Sequence, residues 1–406
     1  MLDSYRRILG HPGALAFSSS ALVARFPVSM VGLGIVLLVQ DRTGSYGFAG
    51  TVSAAFVLAE AAMAVAHGRW VDRFGQSRVL PIAISIFGVA LALMTLSVER
   101  DWPTALTYVL AAVAGGSLPQ VGASVRTRWS HLLDNPRELQ TAFALESVLD
   151  EVVFVLGPVL VTLLATSWHP VAGLAVAIVT GVGGTLAFAA QRRTEPPARA
   201  TDPGTATGAM PWRVVLTMAV LCLMLGTLFG AAEVTTVAFA DEQGNKAAAG
   251  WLLALWSLGS LVAGVITGAI TWRASPGTRV RWGAVGMAVA MAPLMFIDSI
   301  PVMGLVLLVG GFAIAPTLIA GMTLIEHVVP RGRLTEGMAV LHTGIVAGVA
   351  PGACIAGYVV DHQGASAAYG VCLAAGMIGA LLALAVRVES PRADVPRVDP
   401  EQAEAH

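Results

Sequence analysis

Residues 68–78, GRWVDRFGQSR, form a glycine-bounded, arginine-rich link between two long apolar segments. Arg69, Arg73 and Arg78 in so short a link mark one side of a membrane, because basic residues gather in the cytoplasmic loops beside spans. Asp72 sits in a link too short to be a domain, so whatever it touches belongs to the apolar segments themselves.

The rest of the composition agrees with a chain built for lipid. Its 406 residues are 56% hydrophobic and only 12% charged, whereas soluble domains carry about 25% charged residues. The chain reads as an integral membrane protein. A formal net charge of −1 offers no overall field to a nucleic acid. Cys222, Cys354 and Cys372 fall in apolar runs without metal-site spacing and read as packing residues. The apolar stretch after Tyr5-Arg6-Arg7 is too long for a cleaved signal and reads as a first span with its arginines inside.

A membrane helix needs roughly 20 apolar residues. That window predicts twelve spans, at about 14–40, 46–67, 79–98, 102–124, 139–165, 169–190, 213–239, 246–270, 281–299, 302–325, 335–360 and 365–387. The runs are continuous, which excludes a membrane barrel. Alternating sides from an inside N-terminus puts twenty of the 24 basic residues inside, leaves Arg42, Arg100 and Lys246 outside, and buries Arg25 in span one. A miscounted span would invert every later loop, so the bias supports twelve spans with both termini cytoplasmic. The proline- and threonine-rich stretch 191–212 predicts a flexible cytoplasmic linker. It divides a half at 1–190 from a half at 213–387, and the polar tail 388–406 reads as disordered. Two six-helix halves are the plan of facilitator-type transporters.

Charges inside spans call for a partner or a wet cavity, since each costs about 2.5–3.5 kcal/mol near mid-bilayer. Arg25 lies eleven residues into span one, about 16 Å deep at 1.5 Å per residue. Span five carries Glu146, Asp150 and Glu151, and the last two reach a similar depth. Glu146 and Asp150 share a face at i,i+4, while Glu151 points about 100° away. The expectation is that Arg25 pairs with Asp150 or Glu151. On one reading the pair is static; on the other a third, less compensated carboxylate takes up and releases a proton.

Other charged groups keep two readings. Glu60 in span two reads as a structural hydrogen-bonding partner, and Glu233 in span seven either faces the outer mouth of a central cavity or snorkels to water. His342 in span eleven is a proton relay or a histidine bonded to nearby backbone. Asp298, Glu326 and Glu336 lie near span ends and read as wetted. Gly157-Pro158 loses one backbone bond and permits a bend or close crossing, and the glycines around Pro351 permit tight packing.

The link 68–78 resembles the loop-2/3 signature of the major facilitator superfamily, with Gly68, Asp72, Arg73, Gly75 and Arg78 in register. The resemblance extends over about residues 14–387. It implies that Asp72 latches the cytoplasmic side by sitting against the start of span eleven when that side is shut. Gly157-Pro158 looks like a reduced form of the family's antiporter signature, with Leu160 and Val161 where the fuller pattern has paired glycines. Arg126, at the inner end of span four, is a gate candidate.

No P-loop for ATP is present and no soluble region is long enough for a catalytic domain, so the chain does not read as an enzyme. The expected function is secondary active transport by alternating access, most like a proton-coupled drug or metabolite exporter. Its expected partners are the bilayer and a mostly apolar small molecule, with no cofactor and H+ as coupling ion. The chain is expected to work as a monomer in the cell (plasma) membrane. Trp212, Phe229, Trp251, Trp256 and Phe312 are candidates to line the cavity, although tryptophans near span ends also serve as interfacial anchors. The rivals are an importer or facilitator of a polar or anionic metabolite held by Arg25, and a non-transporting scaffold or receptor.

Overall fold

The computed structural model describes residues 2–198, 209–269, 272–330 and 334–385, and among them there are helices and no strands. A backbone in lipid must satisfy its polar groups internally, which a helix does within one segment. A short amphipathic helix, α1 (Leu2–Leu9), precedes the spans. The first six spans are α2 (Ala14–Thr43), α3 (Tyr46–Phe74), α4 (Gln76–Glu99), the pair α5 (Thr104–Ser117) and α6 (Val121–Leu132), α7 (Pro136–Ser167) and α8 (Ala172–Ala190). The second six are α9 (Trp212–Glu242), α10 (Ala248–Ala269), α11 (Pro276–Met291) with a 3-10 turn at Ala292–Phe296, the pair α12 (Ile300–Gly311) and α13 (Ile314–Val328), and α14 (Leu334–Ala385). α14 is two spans joined end to end, its helical dihedrals interrupted at Gly364 (φ 83°, ψ 173°).

The twelve-span reading is therefore matched, with corrections at the breaks. Span four is interrupted at Leu118-Pro119-Gln120, where proline cannot donate to the helix ladder. The link 68–78 is almost entirely helical, because α3 runs to Phe74 and α4 starts at Gln76. Only Gly75 (φ 87°, ψ 154°) stands outside, and its N–H closes α3 on the Val71 carbonyl. The Glu195 carboxylate then accepts from Ser77 N–H at 2.8 Å and caps α4.

The middle of the expected linker (199–208), Arg331, Arg333 and the expected tail lie outside the described residues. The start of the linker is docked. Arg128, fully buried, donates to Gln76 Oε1 (2.7 Å), the Gln191 carbonyl (3.0 Å) and Thr194 Oγ1 (3.1 Å), and its guanidinium lies 3.8 Å over the Phe188 ring.

Alternating helix direction gives the bundle a terminal face, where α2 begins, and a distal face, where α2 ends. Between residues whose side chains are described, every hydrogen bond joining the first six spans to the last six lies in the distal part. They link Gln40 to Asp241 and Lys246, residues Ser45, Tyr46 and Gly47 to Asp361 and Asp241, and Cys354 to Gly50. The close packing of Gly50 on the Ala353 carbonyl and of Gly250 on the Pro158 carbonyl is distal too. The distal face is shut.

Candidate functional site

The charged groups of span one and span five form one network. Arg25 is almost fully buried, and its Nε donates back to the Ala21 carbonyl at 3.0 Å. Its Nη2 meets Glu146 Oε2 at 2.6 Å and its Nη1 meets Asp150 Oδ1 at 2.7 Å. Arg126 Nη2 closes the other side of Asp150 at 2.8 Å. Glu146, with no exposed surface, also accepts from Ser18 Oγ and Trp129 Nε1, each at 2.8 Å. Two arginines face two carboxylates, and the network is balanced.

That arrangement departs from the sequence expectation in one respect. The expected pair with Asp150 forms, and the departure is Glu146, which joins as a second partner while Glu151 stays out. The arginine reaches back toward the start of its helix, as helical side chains do, and so meets the earlier acid of span five. Arg126 is a member of this network as well as standing near the terminal face.

Glu60, Glu151 and Glu233, all within spans, form no ion pair with a described residue. Each is half-buried. Glu60 receives one long hydrogen bond from Gln120 Nε2, at 3.5 Å, where span four breaks. Glu233 lies against the first half: a methyl placed on Gly32 would stand 3.4 Å from its Oε1 and 3.7 Å from Ser53 Oγ.

Helical periodicity tells where the remaining groups point. Glu151 lies two turns before Pro158 on the same face of α7, and Pro158 touches Gly250 of α10. His342 lies three turns before Ala353 on the same face of α14, and Ala353 touches Gly50 of α3. Both side chains are thus turned toward the opposite half, Glu151 two turns and His342 three turns below a contact on the distal side. His342 is exposed and makes no hydrogen bond to a described residue. Ser53 stands two turns before Glu60 on α3, so Glu60 shares the side of Ser53, Gly32 and Glu233. By this periodicity Glu60, Glu151, Glu233 and His342 are turned toward the opposite half.

Gly157 and Pro158 act through close approach. Gly157 packs on Ser29, whose hydroxyl bonds the Val153 carbonyl at 2.9 Å, and the Pro158 carbonyl would lie 2.6 Å from a methyl on Gly250. Around the quoted link, Asp72, Arg73 and Arg78 are exposed, Arg73 lies 5.3 Å over the Phe74 ring, and open space surrounds Gly68. Asp72 touches no partner among the described residues. Of the aromatic candidates, Phe229 and Trp256 pack edge to face at 5.5 Å inside the second half. Trp212, Trp251 and Phe312 are exposed.

Sequence reasoning missed several partners. Trp129, Ser18, Arg128, Gln76 and Glu195 are brought in only by tertiary packing. Trp129 and Arg128 sit beside Arg126 on α6, where polar residues gave no sign of burial.

The geometry accords with the comparisons. No curated protein matches the sequence. Solved structures share the fold at identities too low to carry more. The peptide transporter family (POT) member PepTSo aligns with a TM-score of 0.68 and 12% identity, covering 91% of this chain and 97% of that one. A bacterial homologue of the iron transporter ferroportin, in an inward-facing state, gives 0.67 and 14%, covering 91% and 98%. The human organic anion transporter MFSD10 gives 0.64 and 16%, covering 93% and 99%. The family description Major Facilitator Superfamily matches residues 17–241 and again 234–405. The chain is a multi-pass membrane protein that belongs to the Major Facilitator Superfamily of transporters.

Proposed function

We propose that the protein is a proton-coupled exporter of a mostly apolar small molecule, with Glu151 as the group that carries the proton. The observation behind this is the balance of charge in the first half. Arg25 and Arg126 are neutralised by Glu146 and Asp150, and Glu151, one residue on, faces the gap with no cation. A buried carboxylate without a cation is neutralised by a proton instead. Alternating access then exposes it to one side and the other in turn.

In this reading the terminal face is the cytoplasmic one, the closed distal face makes the described state inward-facing, and the protein sits in the cell membrane with both termini inside. Asp72, without a partner among the described residues, engages the second half when that side shuts. Export is favoured over uptake of an anion by the occupancy of Arg25, whose Nε, Nη1 and Nη2 all have protein partners. A substrate anion finds no vacant edge on the Arg25 guanidinium.

The test is reconstitution into liposomes enclosing a pH-sensitive dye, with a panel of lipophilic drugs added under an imposed proton gradient. Drug-dependent proton flux that disappears in Glu151→Gln supports the reading. Flux undiminished in Glu151→Gln removes that residue as carrier, and drug movement without proton movement removes the coupling.

A further inference from the structure

The distal closure is built differently on its two sides. Where α14 meets α3, the Asp361 carboxylate of the second half reaches the first turn of α3 in the other half. It accepts from the Ser45 hydroxyl at 2.7 Å, from Tyr46 N–H at 2.8 Å and from Gly47 N–H at 2.8 Å. The first N–H groups of a helix have no partner within it, and they form the positive end of its dipole. A carboxylate there meets both needs at once. Gly47 makes room, since a methyl on it would stand 2.9 Å from Asp361 Oδ2. Asp241 adds a second hold on the same residue through the Tyr46 hydroxyl at 2.9 Å.

Where α10 meets α7, the contact is Gly250 against the Pro158 carbonyl and Thr162, with no carboxylate. A cavity of about 380 Å3 lies beside it, lined by Leu37, Asp41, Thr166, Trp168 and Lys246. Among the described residues the hold of a carboxylate on a helix end lies on one side of the distal face, and Gln40 meets Asp241 and Lys246 separately from it.

We propose that Asp361 is a latch acting in trans: it lends α3 a cap only while the distal face is shut, and its release is the step that opens that face. On release α3 keeps a cap of its own, because Ser45 Oγ already accepts from Phe48 N–H at 3.1 Å. Removing Asp361 therefore weakens closure and spares the helix. The latch is independent of which ion or cargo is carried, and its test reads shape and not flux.

The experiment uses the full chain in lipid nanodiscs with Cys222, Cys354 and Cys372 replaced by alanine. Spin labels at Arg100→Cys and Ser299→Cys, exposed distal positions in the two halves, report the distal distance by double electron–electron resonance. Labels at Arg69→Cys and His327→Cys report the terminal face. Loss of an N-cap predicts that Asp361→Ala lowers the closed-to-open ratio about two- to thirty-fold, lengthening the distal distance and shortening the terminal one. Asp361→Asn, with one acceptor oxygen left, and Gly47→Ala, whose methyl crowds the carboxylate, move the ratio the same way by less. Unchanged distal distances in folded Asp361→Ala overturn the latch. If that variant does not fold, unchanged distances in both Asp361→Asn and Gly47→Ala overturn it.

Discussion

Asp150 is shared by two arginines, Arg25 at 2.7 Å and Arg126 at 2.8 Å, and it joins the buried start of the network to its partly exposed end. The two ends differ in what they can do. Glu146 is saturated by Arg25, Ser18 and Trp129 and is cut off from solvent. Asp150 and Arg126 are each about one third exposed. The inner end holds α2 to α7, and the outer end is free to rearrange.

The inner end therefore carries stability. Removing one partner of a buried ion pair leaves the other charge uncompensated and costs about 3–5 kcal/mol. Glu146→Leu is expected to lower the melting temperature of the purified protein far more than Asp150→Asn, and Arg25→Met in the Glu146→Leu background to recover part of the loss. Thermal melts in detergent check this; equal losses from both acids would contradict the division.

Glu151 behaves oppositely. With no ion pair or hydrogen bond to a described residue, Glu151→Gln removes no contact and the melt is expected to stay within about 0.5 kcal/mol of the parent. Drug binding is retained and drug-driven proton flux is lost. Destabilisation comparable to Glu146→Leu would mean that Glu151 is a structural residue.

Much of the architecture was legible because lipid removes alternatives: continuous apolar runs must be helices, and arginines must stay on one side. The depth of Arg25 and of the span-five acids was legible for the same reason. The pairing of Arg25 with Asp150 was legible too; Glu146 as a second partner was not, since depth along the axis ignores that Arg25 bends back to the Ala21 carbonyl and meets Glu146. The i,i+4 spacing of Glu146 and Asp150 was the available clue. The stretch 191–195 looked like pure linker because composition reports prolines and threonines, and says nothing of a carboxylate landing on a helix end. Asp361 was hidden likewise: its partners are Ser45, Tyr46 and Gly47, about 315 residues away in the chain and close only after folding.

Gly75 and Glu195 test the fastening of the quoted link. An alanine at Gly75 must adopt φ 87° and place its methyl 2.8 Å from Glu195 Oε1, for a cost of about 1–3 kcal/mol. Glu195→Ala removes the cap of α4 for about 1 kcal/mol. The double variant is expected to lose less than the two singles together, because the clash goes with the carboxylate while the strain remains. Strict additivity in thermal melts would show that the two residues do not meet.

Lys246 makes the distal closure pH-dependent. It lies between spans, beside Gln40 and 3.9 Å from Asp241. Desolvation lowers its pKa below the ordinary 10.5, and the nearby Asp241 and Asp41 only partly oppose that. When the distal face opens, Lys246 regains water and its ordinary affinity for a proton. The closed state thus binds fewer protons between the lowered pKa and 10.5, and raising pH through that window favours closure. Distal spin-label distances are expected to shift toward the short component as pH rises toward 10.5, and the shift to vanish in Lys246→Met. A shift toward the long component would mean that the attraction of Asp241 and Asp41 outweighs desolvation, reversing the sign.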